Sequence, residues 1–346
     1  MAKPVRIAVV GCGYWGPNLI RNFRSQSECE LTDLCDVSTS RLKHLKSLYP
    51  DVTTHLSFDE MLKRRQLDAV VIATPVHLHH KLAMQCLNVG KHVMIEKPMA
   101  RSVEQCEEMA AAAKKHKLTL MVGHTFLYSP HVRKIKEIIK AGDIGDILYI
   151  TSRRLNLGLF QKDMNVVWDL APHDISIIQY LMEEMPTSVN CQGNAHVTKG
   201  VEDISNMTLM FASGRYATVQ TSWLDPRKVR EITIVGSKRM IVYDDLQPLH
   251  KITIYDQRVE TPPHYDSFAE FQYAYHYGDV YSPYVKQDEP LKIECRHFLD
   301  CIRSGDTPIS SAEQATEVVR ILEASSASLK QDGARVHTHT RAHIKP

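Results

Sequence analysis

The sequence predicts an α/β fold class: a doubly wound parallel sheet at the N-terminus, followed by an α+β domain built on a large, mostly antiparallel open sheet. Three observations lead there. Short apolar runs alternate with helical periodicity over the first 125 residues, a glycine-rich hexapeptide joins the first run to the first helix, and the pattern changes to longer, alternating strands after residue 125. At 346 residues the chain exceeds the usual size of one hydrophobic core. Two domains are therefore expected, 1–125 and 126–336, with a tail at 337–346.

In the first domain Val5–Val10 reads as a strand, Trp15–Arg24 as a helix, Leu31–Cys35 as a strand and Thr39–Ser47 as a helix. Phe58–Lys63 is helical, Ala69–Ala73 a strand, Leu78–Asn88 a helix, His92–Ile95 a strand, Val103–His116 a helix and Leu118–Val122 a strand. These strands are apolar without alternation, as a sheet covered on both faces requires. Ser102-Val103-Glu104-Gln105 fits a capping box. Beyond it His131–Lys140 is helical and ends at Ala141-Gly142, where glycine suits a left-handed cap. Residues 146–156 form a longer strand, and Pro172–Met182 reads as a helix. Ser205–Phe211, Tyr216–Trp223, Arg230–Gly236 and Met240–Asp244 alternate as half-exposed antiparallel strands do. Leu291–Arg303 and Ala312–Leu329 return to helical periodicity.

Gly11-Cys12-Gly13-Tyr14-Trp15-Gly16 is a G-x-G-x-x-G placed directly after a strand and opening a helix. Gly11 makes the tight turn, Gly13 lets backbone approach a pyrophosphate, and Gly16 allows close helix–strand packing. The helix N-terminus offers amides and partial positive charge to the phosphates. Asp36, 20 residues after Gly16, stands where a carboxylate accepts from the adenosine ribose. The first domain is therefore expected to be a Rossmann domain that binds NAD; NADP is less favoured, with Arg41 the residue that keeps it open. Ligands of open α/β sheets lie at the carboxyl ends of the strands. Ala73-Thr74-Pro75 and Glu96-Lys97-Pro98 are such ends, and His79 follows the first of them.

Oxidising a carbinol needs a base for the hydroxyl proton while hydride leaves for the cofactor. In Asp169-Leu170-Ala171-Pro172-His173-Asp174, Pro172 suits the first helical position and would put His173 in the first turn. There the helix terminus would keep the imidazole neutral. Asp169 could orient it or contact substrate, and Lys97 could stabilise the developing alkoxide or act as the acid/base itself. A plain helix cap is the competing reading of His173-Asp174.

A net charge of +2 with interleaved signs argues against nucleic-acid or anionic-membrane partners. No apolar run approaches the ~20 residues that span a bilayer, and Val5–Val10 lacks a following cleavage site, so a cytoplasmic protein without a leader is expected. Eight cysteines without a C-x-x-C pair read as reduced thiols rather than zinc or disulfide positions, and no metal is expected. His337, His339 and His343 read as a solvated tail.

Gly11–Gly16, Ala73-Thr74-Pro75 with His79, Glu96-Lys97-Pro98 and Asp169-x-x-x-His173 together resemble the Gfo/Idh/MocA oxidoreductases, over essentially the whole chain and in the right order. Glu-Lys-Pro is the most specific element. The resemblance implies hydride transfer at a secondary hydroxyl or ketone of a sugar, nucleotide sugar or cyclitol, with Lys97, Asp169 and His173 as the catalytic set. It also implies homodimers or homotetramers formed through the C-terminal sheet. Arg154–Gly158 and Trp168–Asp174 look most like the nucleotide-sugar 3-dehydrogenase branch, although proline before His173 departs from many members. His124, Tyr128, Arg154, Asn156 and Asn165 are the substrate-binding candidates, and the Tyr273–Tyr277 cluster fits either the cleft or an oligomer interface. An NAD-dependent glycosidase-type relative and a non-catalytic dinucleotide sensor are the alternatives.

Overall fold

The computed structural model describes residues 3–64, 66–161, 164–260 and 274–338. Tyr273, His339 and His343 lie outside them. The chain divides into two compact units, one formed by residues up to 129 together with 288–323, the other by 130–287 together with residues from 324 onward.

The first unit opens with β1 (Val5–Val10), α1 (Gly16–Arg24), β2 (Cys29–Cys35), α2 (Thr39–Leu48), β3 (Thr53–His55) and α3 (Phe58–Leu62). β4 (Ala69–Ile72), α4 (Val76–Asn88), β5 (His92–Glu96), α5 (Val103–His116) and β6 (Leu120–Gly123) complete its sheet, and a 3₁₀ turn follows at Thr125–Tyr128. Among the described residues the sheet has the order β3-β2-β1-β4-β5-β6, every pair parallel. This is the dinucleotide-binding arrangement, with the crevice at the carboxyl ends of β1 and β4. Ile7, Ala8 and Val9 are fully buried, as unbroken apolar strands should be. β3 is the element that the apolar pattern does not announce: Thr-Thr-His on the sheet edge is half-buried. The capping box forms in modified form. The Gln105 amide donates to Ser102 Oγ at 3.3 Å, while the Gln105 side chain accepts from the Arg101 amide.

The second unit contains α6 (Pro130–Lys140), β7 (Ile147–Leu157), α7 (Val166–Met182), β8 (Pro186–Asn194), β9 (Ile204–Phe211) and β10 (Tyr216–Ser222). β11 (Leu224–Gly236), β12 (Met240–Asp244), β13 (Ile252–Glu260) and β14 (Ala274–Tyr281) follow. Residues 288–323, with α8 (Pro290–Ser304) and most of α9 (Ala312–Leu329), belong to the first unit, and the short β15 (Val336–His337) to the second. The sheet order is β14-β13-β12-β11-β7-β10-β9-β8-β15. Its described pairs are antiparallel except β7 with β10. α7 packs on β7 and β10, its Ile175, Ile177 and Ile178 buried.

Two expectations change here. α8 does not belong with the second domain: Phe298 packs edge-to-face on Phe23 of α1 at 6.3 Å, both rings fully buried. And α7 starts at Val166, capped by the Asn165 side chain, which accepts from the Trp168 amide at 3.2 Å. Pro172 therefore lies inside the helix, and His173 is not in its first turn.

Candidate active site

The first unit builds the glycine-rich turn. Gly11 has φ +90°, and a Cβ on it would sit 2.5 Å from the Ala73 carbonyl oxygen; one on Gly16 would sit 2.2 Å from the Gly11 oxygen. No other residue type fits either position. Gly13 has room, its nearest neighbour being Arg41 Nη1 at 3.8 Å. α1 opens without a side-chain cap or an acidic residue in its first turn, which leaves its terminus to an anion. The Asp36 carboxylate, nearly buried, accepts from the Cys12 amide at 2.6 Å and the Ser38 amide at 2.7 Å. Arg41 stands 3.9 Å from it and is largely exposed. Tyr14 is exposed and stacks on Trp15 at 6.4 Å. Thr74 Oγ1, at the end of β4, is enclosed and has no hydrogen-bond partner among the described residues. An unsatisfied hydroxyl beside a glycine cradle suits a dinucleotide with its own hydroxyls and phosphate oxygens.

His79 is buried between the Thr74 carbonyl at 2.8 Å and the Pro98 carbonyl at 3.0 Å. It thus ties the Ala73-Thr74-Pro75 strand end to the Glu96-Lys97-Pro98 strand end instead of lying on the surface. Burial holds its pKa below the usual imidazole range, against the pull of those carbonyls. The Lys97–Pro98 peptide is cis.

Glu96 ends β5 opposite Gly123 of β6, where a Cβ would come within 3.1 Å of the Glu96 carboxylate. Burial pushes the Glu96 carboxyl up to about 7, while the Lys97 charge and hydrogen bonds from the Lys97 backbone and the Trp15 side chain pull it down. Next along, His124 is 1% exposed, and neither ring nitrogen has a hydrogen-bond partner among the described residues. Burial, aided by the Lys97 charge, pushes it down to about 3, so it is a neutral ring. Glu294 of α8 joins this cluster, accepting from Thr125 Oγ1 at 2.8 Å and fully buried. Its pKa lies well above the carboxylate range, through burial and then the Glu96 charge. Glu294 was readable as an anomaly: an acid on the apolar stripe formed by Leu291, Cys295, Phe298 and Leu299. Tyr128, expected at the substrate, is a core residue whose hydroxyl meets Ser310 Oγ at 2.8 Å.

In the second unit Asp169 and His173 lie four residues apart on α7, hence on one face, both half-buried. Position in the helix interior removes the terminus as a reason for a neutral His173. Asp169 Oδ2 accepts from the Trp223 indole at 3.1 Å. Asp174, by contrast, points into the core, where Arg154 Nε donates at 2.6 Å, Arg154 Nη2 at 3.2 Å and Ser152 Oγ at 2.7 Å. Arg154 and Asp174 are both nearly buried, so this guanidinium is committed to an internal ion pair. Asn156 is half-buried near the end of β7. Asn165, besides capping α7, donates to Glu202 Oε2 at 2.7 Å. Arg154 and Asn165 thus have structural partners that local sequence does not display.

Residues 5–124 match the family model described as "Oxidoreductase family, NAD-binding Rossmann fold", and residues 132–242 match the "GFO/IDH/MocA C-terminal domain". An uncharacterized oxidoreductase of Streptococcus pneumoniae is 30% identical over 258 residues, covering 69% of this chain and 68% of that one. The myo-inositol 2-dehydrogenase of Thermotoga maritima is 24% identical over 341 residues, covering 94% and 97% of the two chains. The solved structure of UDP-N-acetylglucosamine 3-dehydrogenase GnnA from Acidithiobacillus ferrooxidans shares the fold, with a TM-score of 0.80 at 20% identity over 96% of this chain and 100% of that one.

Proposed function

Because the chain belongs to the Gfo/Idh/MocA oxidoreductase family, we propose that it is an NAD-dependent dehydrogenase or reductase acting on a secondary hydroxyl of a cyclitol, sugar or nucleotide sugar. The observation that carries this reading is Lys97 just beyond the carboxyl end of β5, next to the Pro98 carbonyl that His79 bonds, in a sheet whose glycine turn is open at Gly13. The α1 terminus and Gly11–Gly16 would hold the pyrophosphate, Thr74 a ribose or phosphate oxygen, and Asp36 the adenosine ribose. A 2′-phosphate would meet the Asp36 carboxylate, which favours NAD over NADP. Bound NAD supplies the hydride acceptor.

The chain's own residues handle the proton and the charge. His173 takes the hydroxyl proton as general base. The Lys97 ammonium stabilises negative charge on the substrate as it develops. Asp169, one turn before His173, orients the substrate hydroxyl. His124 keeps its ring neutral beside Lys97, so no second cation competes there. Myo-inositol and UDP-N-acetylglucosamine, the compounds named for two of the relatives, are the first substrates to try. Lys97→Met and His173→Asn should each abolish turnover while NAD still binds, as read by isothermal titration. Normal turnover in either variant refutes the assignment.

A further inference from the structure

The start of α7, which carries Asp169, and the end of β10, which leads into Trp223, are tied by two consecutive residues. The Glu202 carbonyl accepts from the Val166 amide at 2.9 Å, and the Asp203 carbonyl accepts from the Trp223 amide at 2.9 Å. This two-residue strap is itself anchored. The Asp203 carboxylate collects the His196 and Val197 amides at 2.7 and 2.9 Å and His196 Nδ1 at 2.8 Å, and Glu202 holds the capping Asn165. The helix start and the tryptophan are therefore set in one register.

The indole is enclosed as well. Trp223 is 1% exposed, the Phe160 ring lies 5.5 Å from it, and the Gly158 amide donates to its carbonyl at 3.0 Å. A Cβ at Gly158 would come within 2.8 Å of Trp223 Cδ1 and 3.1 Å of Asn156 Nδ2, so only glycine lets the chain close over the ring. A buried indole N–H needs an acceptor. Here it donates to Asp169 Oδ2 at 3.1 Å, a charge-assisted bond to a carboxylate one turn before His173.

We propose that Trp223 is a positioning residue: through its indole N–H it fixes the Asp169 carboxylate in the orientation the reaction uses. This rests on the reading of Asp169 as part of the catalytic set, and acts through that residue without touching substrate. Trp223→Phe keeps a ring against Phe160 and removes the donor. Site-specific benzothienylalanine keeps the shape of the indole and removes only the N–H.

Both replacements should fold and bind NAD as the native protein does, Trp223→Phe with a lowered thermal midpoint because it empties part of a filled site and ends a hydrogen bond to a carboxylate. With myo-inositol, or with UDP-N-acetylglucosamine if that is what the native protein oxidises, kcat should fall about 10- to 100-fold, the loss expected from a small misplacement of a catalytic group. KM should stay within a few-fold. The indole ¹⁵N–¹H resonance of Trp223, identified by its absence in Trp223→Phe, should shift upfield in Asp169→Ala. Native kcat in the benzothienylalanine protein, or an unmoved indole resonance, overturns the proposal. A fully active Asp169→Asn instead overturns the reading of Asp169, and is distinguished from the former because Trp223 is intact in it.

Discussion

His124→Leu tests the electrostatics of the cluster beside Lys97. In the folded chain His124 is neutral down to about 3 because it is buried, whereas in the unfolded chain it titrates at about 6.5. Its folded pKa is depressed, so the unfolded state binds the extra proton, and stability is lost as pH falls below the unfolded value. Between about pH 7 and pH 5 the linkage amounts to roughly 2 kcal/mol, and it approaches about 5 kcal/mol once pH reaches the folded pKa. The ring has no hydrogen-bond partner among the described residues. Leucine should therefore cost little at neutral pH. Urea unfolding at the two pH values should show the native protein losing about 2 kcal/mol more than His124→Leu between them. Equal losses would mean that His124 charges inside the fold, and would refute the reasoning.

Arg154→Ala strands the Asp174 carboxylate in the core and should cost about 3–5 kcal/mol, read as a lowered urea midpoint; a stable variant with altered substrate KM would return Arg154 to the substrate. Asp36→Ala removes the acceptor of the Cys12 and Ser38 amides as well as the proposed ribose contact. At about 1.5–3 kcal/mol for hydrogen bonds to a charged group, NAD Kd should rise roughly 10- to 100-fold, measurable by titration calorimetry.

What sequence revealed, and what it withheld, follows from the range of the interactions. The parallel sheet was legible because β4 and β6 are unbroken apolar runs and β1 and β5 nearly so, each separated from the next by helical periodicity; β3, Thr-Thr-His, lacks that pattern. The glycine turn was legible because the close approaches that require Gly11 and Gly16 are made within one βαβ region. α7 was misread because proline is at home in the first helical turn, and Pro172 outweighed the Asn165 cap and the apolar Val166-Val167-Trp168 that begin the helix. With the helix beginning at Val166, His173 lies two turns in and away from the helix terminus. Arg154 and Tyr128 were placed at the substrate because their partners, Asp174 and Ser310, are 20 and 182 residues away. The bond from Trp223 to Asp169 spans 54 residues and depends on the strap at Glu202-Asp203, which local pattern does not show. The return of α8 to the first unit, carrying Glu294 to Thr125 across 169 residues, is equally non-local. The parallel pairing of β7 with β10 was hidden because alternation reports a half-buried face and says nothing of strand direction.

The central claim is hydride transfer, and the most direct measurement is nicotinamide reduction by the purified protein against a panel of inositols, aldoses and nucleotide sugars, with NAD and NADP side by side. The account predicts that NAD is reduced with at least one member of the panel, that NADP serves less well, and that Lys97→Met abolishes the signal. NAD bound without reduction across the whole panel, in either direction of the reaction, would contradict it.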